Sequence, residues 1–274
     1  MSVKQFSFVI KRAYRGMIPK VIHYCWFGRN PLPESAVKCI ESWRKHMPDY
    51  EIKEWNEDNF DVNLIPFTAE AYSVRKYAFV SDFARFWILY HYGGVYFDTD
   101  VEVIRPIDDI VEKGAFMGVE VMCTVHPRDL IGFPMVAPGL GIGASAGMGF
   151  YKKVIDFYSN YHFLRDDGTI IGGTVVAHTT RLLVNEGLQK RADLQEVAGI
   201  WIYPEDYFNP FDDITGRLNK TERTRSIHWY ARSWQQQSHF RIWLSRMSHR
   251  FLGLKIYKLK KKLYYMKMSK KKDK

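Results

Sequence analysis

Two hydrophobic periods alternate along the first hundred residues. Pro19 to Gly28 (Pro-Lys-Val-Ile-His-Tyr-Cys-Trp-Phe-Gly) is an almost unbroken apolar run and predicts a first core strand, ended by Gly28 and Pro31. Glu34 to His46 predicts a helix that stops before Pro48, and Tyr50 to Trp55 alternates as a second strand. Strand, helix, strand is the unit that builds a parallel sheet. Ala69 to Tyr92 is the longest helical candidate. It is apolar nearly all round between Tyr77 and Tyr90, which predicts a largely buried helix. Gly93-Gly94 then turns the chain into a short buried strand, Val95 to Phe97. Later elements are a strand over Ala115 to Val119, helices over Phe150 to Tyr161 and Val175 to Asn185, and a short strand at Trp201 to Pro204. Met122 to Pro138 reads as irregular, and the Gly/Ala-rich run Gly139 to Gly149 as a segment packed closely against something. That run lacks the Gly-Lys-Ser/Thr ending of a phosphate loop and the spacing of a dinucleotide fingerprint. The pattern is α/β, without internal repeats.

Polar residues inside this apolar frame mark the candidate chemistry. Asp98 and Asp100 follow the strand at i and i+2, a spacing that on a strand points both carboxylates to one face. Converging carboxylates repel unless a cation lies between them, and a hard divalent ion such as Mn2+ or Mg2+ prefers oxygen ligands and also grips phosphate. A solvated turn is the other reading of the pair. In the long helix Asp82 and Arg85 share a face. They form either an ordinary helix ion pair or a polar pair at a cleft, because a charge without a partner is costly in so apolar a helix. Ser226 to Trp234 is dense in groups that contact ligands. His228 within it, taken alone, is more often a structural histidine and needs outside support.

Composition narrows the classes. At 274 residues, 46% of them hydrophobic, the chain has material for one large α/β domain or two small ones. No stretch approaches the roughly 20 apolar residues of a membrane span. The first residues mix lysines and arginines with short apolar pieces, so a signal peptide is not expected. Three cysteines (Cys25, Cys39 and Cys123) form neither a disulfide framework nor a zinc spacing, which suits a reducing cytoplasm. The net charge of +10 is misleading as a whole. Residues 241–274 carry 13 Lys or Arg against one Asp, and the remainder is close to neutral. Phe240, Trp243, Leu244, Met247, Phe251 and Leu254 follow helical spacing on one face, with Arg241, Arg246 and Arg250 off that stripe. The segment is either a helix docked on the body or an interfacial membrane helix, and aromatics beside basic residues favour the membrane. Its aromatics are not interleaved along a basic groove, so nucleic acid is not the expected partner.

Taken together, Ser81-Asp82-x-x-Arg85 followed by Gly93-Gly94-Val95-Tyr96-Phe97-Asp98-Thr99-Asp100 resembles the signature of glycosyltransferase family 32. That family includes capsular-polysaccharide glycosyltransferases and outer-chain mannosyltransferases, and is distantly similar to the catalytic domain of large clostridial glucosylating toxins. The run from Ile18 to Gly28 resembles the family's first strand. The likeness is strong from Ile18 to Ile107 and weaker from His228 to Trp234.

The resemblance implies a GT-A fold: an αβα sandwich around a mostly parallel sheet. The expected layout is an N-terminal arm over 1–17, a catalytic domain over 18–239 and a basic amphipathic helix over 240–274. It implies a retaining, metal-dependent transferase that takes a hexose from a nucleotide-sugar, most simply a UDP-sugar. The acceptor would be a polysaccharide or lipid-linked oligosaccharide, on the cytoplasmic face of an anionic bacterial membrane. By the same resemblance Trp26 stacks on the base and Cys25 contacts it through its backbone. Asp82, Arg85 and Tyr96 line the donor pocket, and Asp98 touches ribose and sugar. Asp100 ligates Mn2+ or Mg2+, with Asp98 and His228 beside it, and Ser233 and Trp234 close a lid. The expected catalytic residues are thus Asp98, Asp100 and Arg85.

Two other classes fit parts of the pattern. A haloacid-dehalogenase-type phosphatase also places Asp-x-Asp after an apolar strand, but Glu102 stands where that class has Thr or Val. A non-enzymatic calcium-binding or membrane-tethering module would use the same carboxylates structurally.

Overall fold

The computed structural model describes residues 16–231 together with Arg246 and Met247. The order of elements is β1 (Val21–Cys25), α1 (Glu34–His46), β2 (Glu51–Trp55), α2 (Pro66–Ser73), α3 (Tyr77–Tyr92), β3 (Gly94–Tyr96), β4 (Val101–Val103), α4 (Asp108–Lys113) and β5 (Phe116–Met122). There follow β6 (Pro134–Val136), β7 (Ile142–Ala144), α5 (Gly149–Ser159), α6 (Val175–Asn185), β8 (Gln195–Val197), β9 (Ile200–Tyr203), α7 (Glu205–Phe208), β10 (Phe211–Asp212), β11 (Arg217–Leu218) and β12 (Ser226–His228).

Seven strands lie side by side in the order β2-β1-β3-β7-β5-β9-β8, and β6 joins as an eighth on β5. The pairings make β1, β2, β3, β5 and β9 run one way and β6, β7 and β8 the other. The expected αβα sandwich around a mostly parallel sheet is therefore present, with antiparallel strands inserted in its middle and at its edge. Strand pleating sorts the side chains onto two cores. From β1 and β3, Ile22, Tyr24 and Val95 enter one core, together with Trp43 of α1 and Phe208 of α7. Cys25 and Tyr96 enter the other, with Phe83 and Phe86 of α3 and Tyr151 and Tyr158 of α5.

The long helical candidate is two helices. Arg75 adopts φ +58° between α2 and α3, and the Lys76 N–H turns back to Ala71 O. A left-handed residue ends a helix there without the glycine that normally signals it. Helix α3 stops at Gly93, and Gly94 (φ +103°) lies so close to β1 that a Cβ would come 2.7 Å from Val21 O and 2.9 Å from His23 Nε2. Only glycine lets the chain enter β3 at this point. The segment read as irregular holds β6, and the Gly/Ala-rich run holds β7.

Away from the large sheet, β4 pairs antiparallel with β12. Helix α1 carries this small sheet: Trp43 Nε1 donates to Val101 O at 2.7 Å, and the Val103 N–H donates to Ser42 Oγ at 2.9 Å. The three cysteines are buried. Among the described residues no helix is long and apolar enough to cross a membrane. Apart from Gly16, Met17, Arg246 and Met247, the expected N-terminal arm and C-terminal helix lie outside the described residues, as do Ser233 and Trp234.

Candidate active site

Asp98 and Asp100 meet through a turn, not through strand pleating. Strand β3 ends at Tyr96 and β4 begins at Val101, and between them the Val101 N–H closes onto Asp98 O at 3.1 Å. The expectation that the two carboxylates share a face by strand periodicity is corrected in its cause. They converge because the chain reverses between two sheets. One ligand atom from each of Asp98, Asp100 and His228 lies within 4.8 Å of the others.

One wall of the site comes from α3 and β3. Arg85 is almost wholly buried. Its Nη2 lies 2.9 Å from Asp82 Oδ1 and 3.3 Å from Asp98 Oδ1, its Nη1 lies 3.4 Å from Asp98 Oδ2, and its Nε donates to Ser81 O at 3.0 Å. The guanidinium also sits over the Tyr96 ring, 4.9 Å from its centroid. Tyr96 in turn donates its hydroxyl to Asp98 Oδ1 at 3.0 Å. Arg85 is therefore more than a helix ion pair: it ties α3 to the carboxylate turn. Burial pushes the Asp82 carboxyl up to about 7, with the Arg85 charge offsetting only part of that rise. Burial likewise raises the Cys25 thiol to about 12, so this cysteine is an inert core residue beside the cluster. Trp26 follows it out of β1, half-buried, donating Nε1–H to Asn30 O at 2.6 Å.

The floor is Gly139. Its carbonyl accepts the Asp98 N–H at 3.1 Å, and a Cβ there would lie 2.0 Å from Asp98 Oδ2 and 3.2 Å from Arg85 Nη1. The absence of a side chain is what lets the loop before β7 pass against the carboxylate.

The opposite wall is β12 and the turn after it. His228 Nε2 lies 3.0 Å from Asp100 Oδ1, the Ala231 N–H donates to Asp100 Oδ2 at 2.9 Å, and the Trp229 N–H donates to Asp100 O at 3.0 Å. Burial disfavours a charged imidazole. The charge and hydrogen bond of Asp100, with Asp98 and Glu120 behind it, nevertheless hold the His228 pKa above its ordinary value. Burial would raise Asp100, but His228 and the Ala231 N–H hold its pKa below the usual range.

The donor set suits a divalent ion. Two carboxylates and an imidazole offer hard oxygen and intermediate nitrogen ligands, a mix that Mn2+ accepts. His228 Nδ1 is buried with no hydrogen-bond partner among the described residues, a polar atom left over in a closed site. A proton held between a histidine and two carboxylates is also what a divalent cation displaces on binding.

Sequence reasoning missed Gly139, the Ala231 N–H, and a trio formed by Glu120, Asn209 and Tyr230. Tyr230 has φ +51°, and its hydroxyl lies 3.0 Å from Asn209 Oδ1 and 3.3 Å from Glu120 Oε1. No periodicity links β5, the end of α7 and the turn after β12. Only the density of aromatic and polar groups from Ser226 onward pointed here.

Over part of its length the chain is similar to known proteins. Residues 33–117 match the family described as "Glycosyltransferase sugar-binding region containing DXD motif". Inositol phosphoceramide mannosyltransferase 1 of Schizosaccharomyces pombe is 32% identical over 111 residues, covering 36% of this chain and 33% of that one. Inositol phosphoceramide mannosyltransferase 3 of the same organism is 34% identical over 150 residues, covering 53% and 40%. The initiation-specific alpha-1,6-mannosyltransferase of Candida albicans is 28% identical over 123 residues, covering 37% and 32%. The chain thus spans well under half the length of these relatives. Among solved structures, the PaToxG glycosyltransferase overlays with a TM-score of 0.44 at 22% identity, covering 68% of this chain and 77% of that one. The matched segment holds α1, β2, α2, α3, β3 and the carboxylate turn, so the likeness to DXD-motif glycosyltransferases covers the α3 and β3 wall of the site, and β12 lies outside it.

Proposed function

We propose that the chain is a retaining, divalent-metal-dependent hexosyltransferase that uses a nucleotide-sugar donor. One observation carries the reading: Asp98, Asp100 and His228 converge within 4.8 Å at the edge of a buried Arg85–Asp82 pair. Asp100 and His228, with Asp98 beside them, would hold Mn2+ or Mg2+. When bound, that ion supplies a Lewis acid against the negative charge a departing nucleoside diphosphate develops.

The chain's own residues do the rest. Arg85 keeps a fixed charge next to Asp98 and orients its carboxylate toward donor hydroxyls. Asp82 offers an acceptor oxygen to the donor sugar from the same helix. Trp26, just after β1, would offer its ring face to the base, and stacking of this kind is worth about 1–3 kcal/mol with little demand on base identity. The turn from Trp229 to Ala231 closes over Asp100 and excludes water that would hydrolyse the donor. Asp82 is a poor nucleophile: its Oδ1 is engaged by Arg85 at 2.9 Å, and burial disfavours its ionised form. This supports front-face substitution, with the leaving diphosphate helping to take the acceptor's proton. A glycosyl–enzyme adduct trapped on Asp82 would overturn that step.

The test is donor hydrolysis without acceptor, scored over a panel of nucleotide-sugars with Mn2+. Mannose donors come first because the named relatives are mannosyltransferases, alongside UDP-glucose, UDP-galactose and UDP-N-acetylhexosamines. One donor should turn over, and Asp100→Asn should lower its rate on the order of a thousandfold with the fold intact. No metal-dependent turnover with any donor would sink the proposal.

The acceptor we propose is a lipid-linked or polysaccharide glycan at an anionic membrane surface. Two of the named relatives act on a ceramide lipid by their names, and residues 241–274 carry the basic block. Truncation before Phe240 should release the protein from anionic vesicles. Retention of the truncated form at high salt would remove the membrane from the proposal.

A further inference from the structure

We infer that Tyr230 is a positioning residue that seats the turn 228–231 on the carboxylates and so completes the cation site. The inference rests on the metal-site reading above and adds to it a residue outside the ligand set.

Four observations converge on Tyr230. Its backbone is left-handed at φ +51°, a conformation that a bulky residue adopts only when its surroundings hold it there. Its ring stands edge-on against the His228 imidazole, with centroids 4.2 Å apart and planes at 83°. Its hydroxyl reaches across to Asn209 Oδ1 and Glu120 Oε1, at 3.0 and 3.3 Å. Finally, both neighbouring residues use their N–H groups on Asp100: Trp229 on its carbonyl at 3.0 Å and Ala231 on its carboxylate at 2.9 Å.

The left-handed kink is what allows the last pair. An extended residue at 230 would carry the following N–H away from Asp100, whereas the kink folds the chain back so that two nearby N–H groups face one aspartate. The kink costs free energy, of order 1–3 kcal/mol for a non-glycine residue in a sparse region. The hydroxyl contacts offset that cost from outside the turn. They come from firmly held elements: Asn209 follows α7, is buried, and fixes its own amide by donating Nδ2–H to Glu120 O at 2.8 Å, while Glu120 lies on β5 of the main sheet. The tether therefore runs from the central sheet through Asn209 and Tyr230 to His228 and Asp100. The small β4–β12 sheet is three residues long and is carried from its other side by α1, so Tyr230 ties the turn after it to the main sheet.

Removing the hydroxyl alone is the informative change. Tyr230→Phe keeps the ring against His228 and lets the backbone relax. The readout is Mn2+ binding to the full-length protein, followed by quenching of tryptophan fluorescence or by the free-ion signal in electron paramagnetic resonance. Outer-shell partners of metal ligands are typically worth 10–100-fold in affinity, so Tyr230→Phe should weaken Mn2+ binding about tenfold. The metal-free protein should keep its unfolding midpoint. Asn209→Leu should weaken Mn2+ to a similar degree, and the double variant no further, since both cut one tether. In donor hydrolysis the loss should appear as a raised apparent KM for Mn2+.

Wild-type Mn2+ affinity in Tyr230→Phe, with affinity lost in Asp100→Asn, overturns the role of Tyr230 and leaves the cation site standing. Absence of Mn2+ binding in the unaltered protein overturns the site itself.

Discussion

The two walls of the site are held by different physics. The wall from α3 and β3 is part of the main core: Arg85 is buried, hydrogen-bonded on three sides and backed by Phe83, Phe86 and Tyr96. The wall from β12 stands on a two-stranded sheet outside the main one, and Trp229 in its turn is 37% exposed. One wall is fixed by packing, and the other runs from the buried Ser226 and Ile227 into a turn seated by hydrogen bonds to Asp100 and by the Tyr230 hydroxyl. A transferase must admit a large charged donor and then exclude water, and a site with one fixed and one lightly seated wall can do both.

Damage to the first wall should appear as lost stability. Arg85→Ala removes the partner of two carboxylates in a buried place, and breaking such a group typically costs about 3–5 kcal/mol. Urea unfolding should show that loss, together with loss of donor hydrolysis. If Arg85→Ala unfolds at the wild-type midpoint, the claim that this wall is part of the core is wrong.

The next effect lies beneath the same wall and separates it from the other by pH. His23 is buried, accepts the Trp55 indole N–H on Nδ1 and bonds Gly93 O through Nε2, both at 3.0 Å, an arrangement that needs the neutral ring. Burial lowers its pKa to about 4, against about 6.5 unfolded, with the Gly93 bond opposing and Lys53 assisting. Below pH 6.5 the unfolded chain binds a proton that the folded chain refuses. Stability is therefore full above 6.5 and falls as pH drops toward 4, by about 3 kcal/mol in all. A His23→Gln variant should start lower and lack this slope. The slope's persistence in the variant would assign it to another group.

What was legible in the sequence divides along the same line. The first wall lies in continuous periodic segments: Glu34–His46 has the predicted bounds, and the Ser-Asp-x-x-Arg and Asp-x-Asp motifs sit on or beside elements whose burial pattern is strong. The second wall was visible only as a cluster of contact-prone residues. A three-residue strand such as β12 has too few positions to show a period, and its partner β4 is more than a hundred residues earlier. The same limit hid β6 and β7, each three residues long and among glycines and prolines. The break at Arg75 was hidden for another reason: a left-handed cap normally announces itself with glycine, and here an arginine takes that conformation. Gly139 could be read as a close approach from its glycine-rich setting, but not as an approach to Asp98.

The smallest effect tests the lightly seated wall directly. Trp229 donates Nε1–H to Glu102 Oε2 at 2.8 Å and packs its ring 5.4 Å from Phe211, at the β10–β11 hairpin. Trp229→Phe keeps an aromatic ring and removes one hydrogen bond at the surface, worth about 0.5–1.5 kcal/mol or less where water competes. Global stability should then change by under about 1 kcal/mol, because Trp229 is exposed and water competes for the bond it loses. The turn itself should open more often, and the apparent KM for the donor should rise by up to about fivefold, the equivalent of the same free energy. Trp229→Phe and Arg85→Ala therefore predict opposite ratios of stability loss to binding loss. A large drop in the unfolding midpoint from Trp229→Phe would mean that β12 is core rather than a seated flap, and the contrast between the walls would fail.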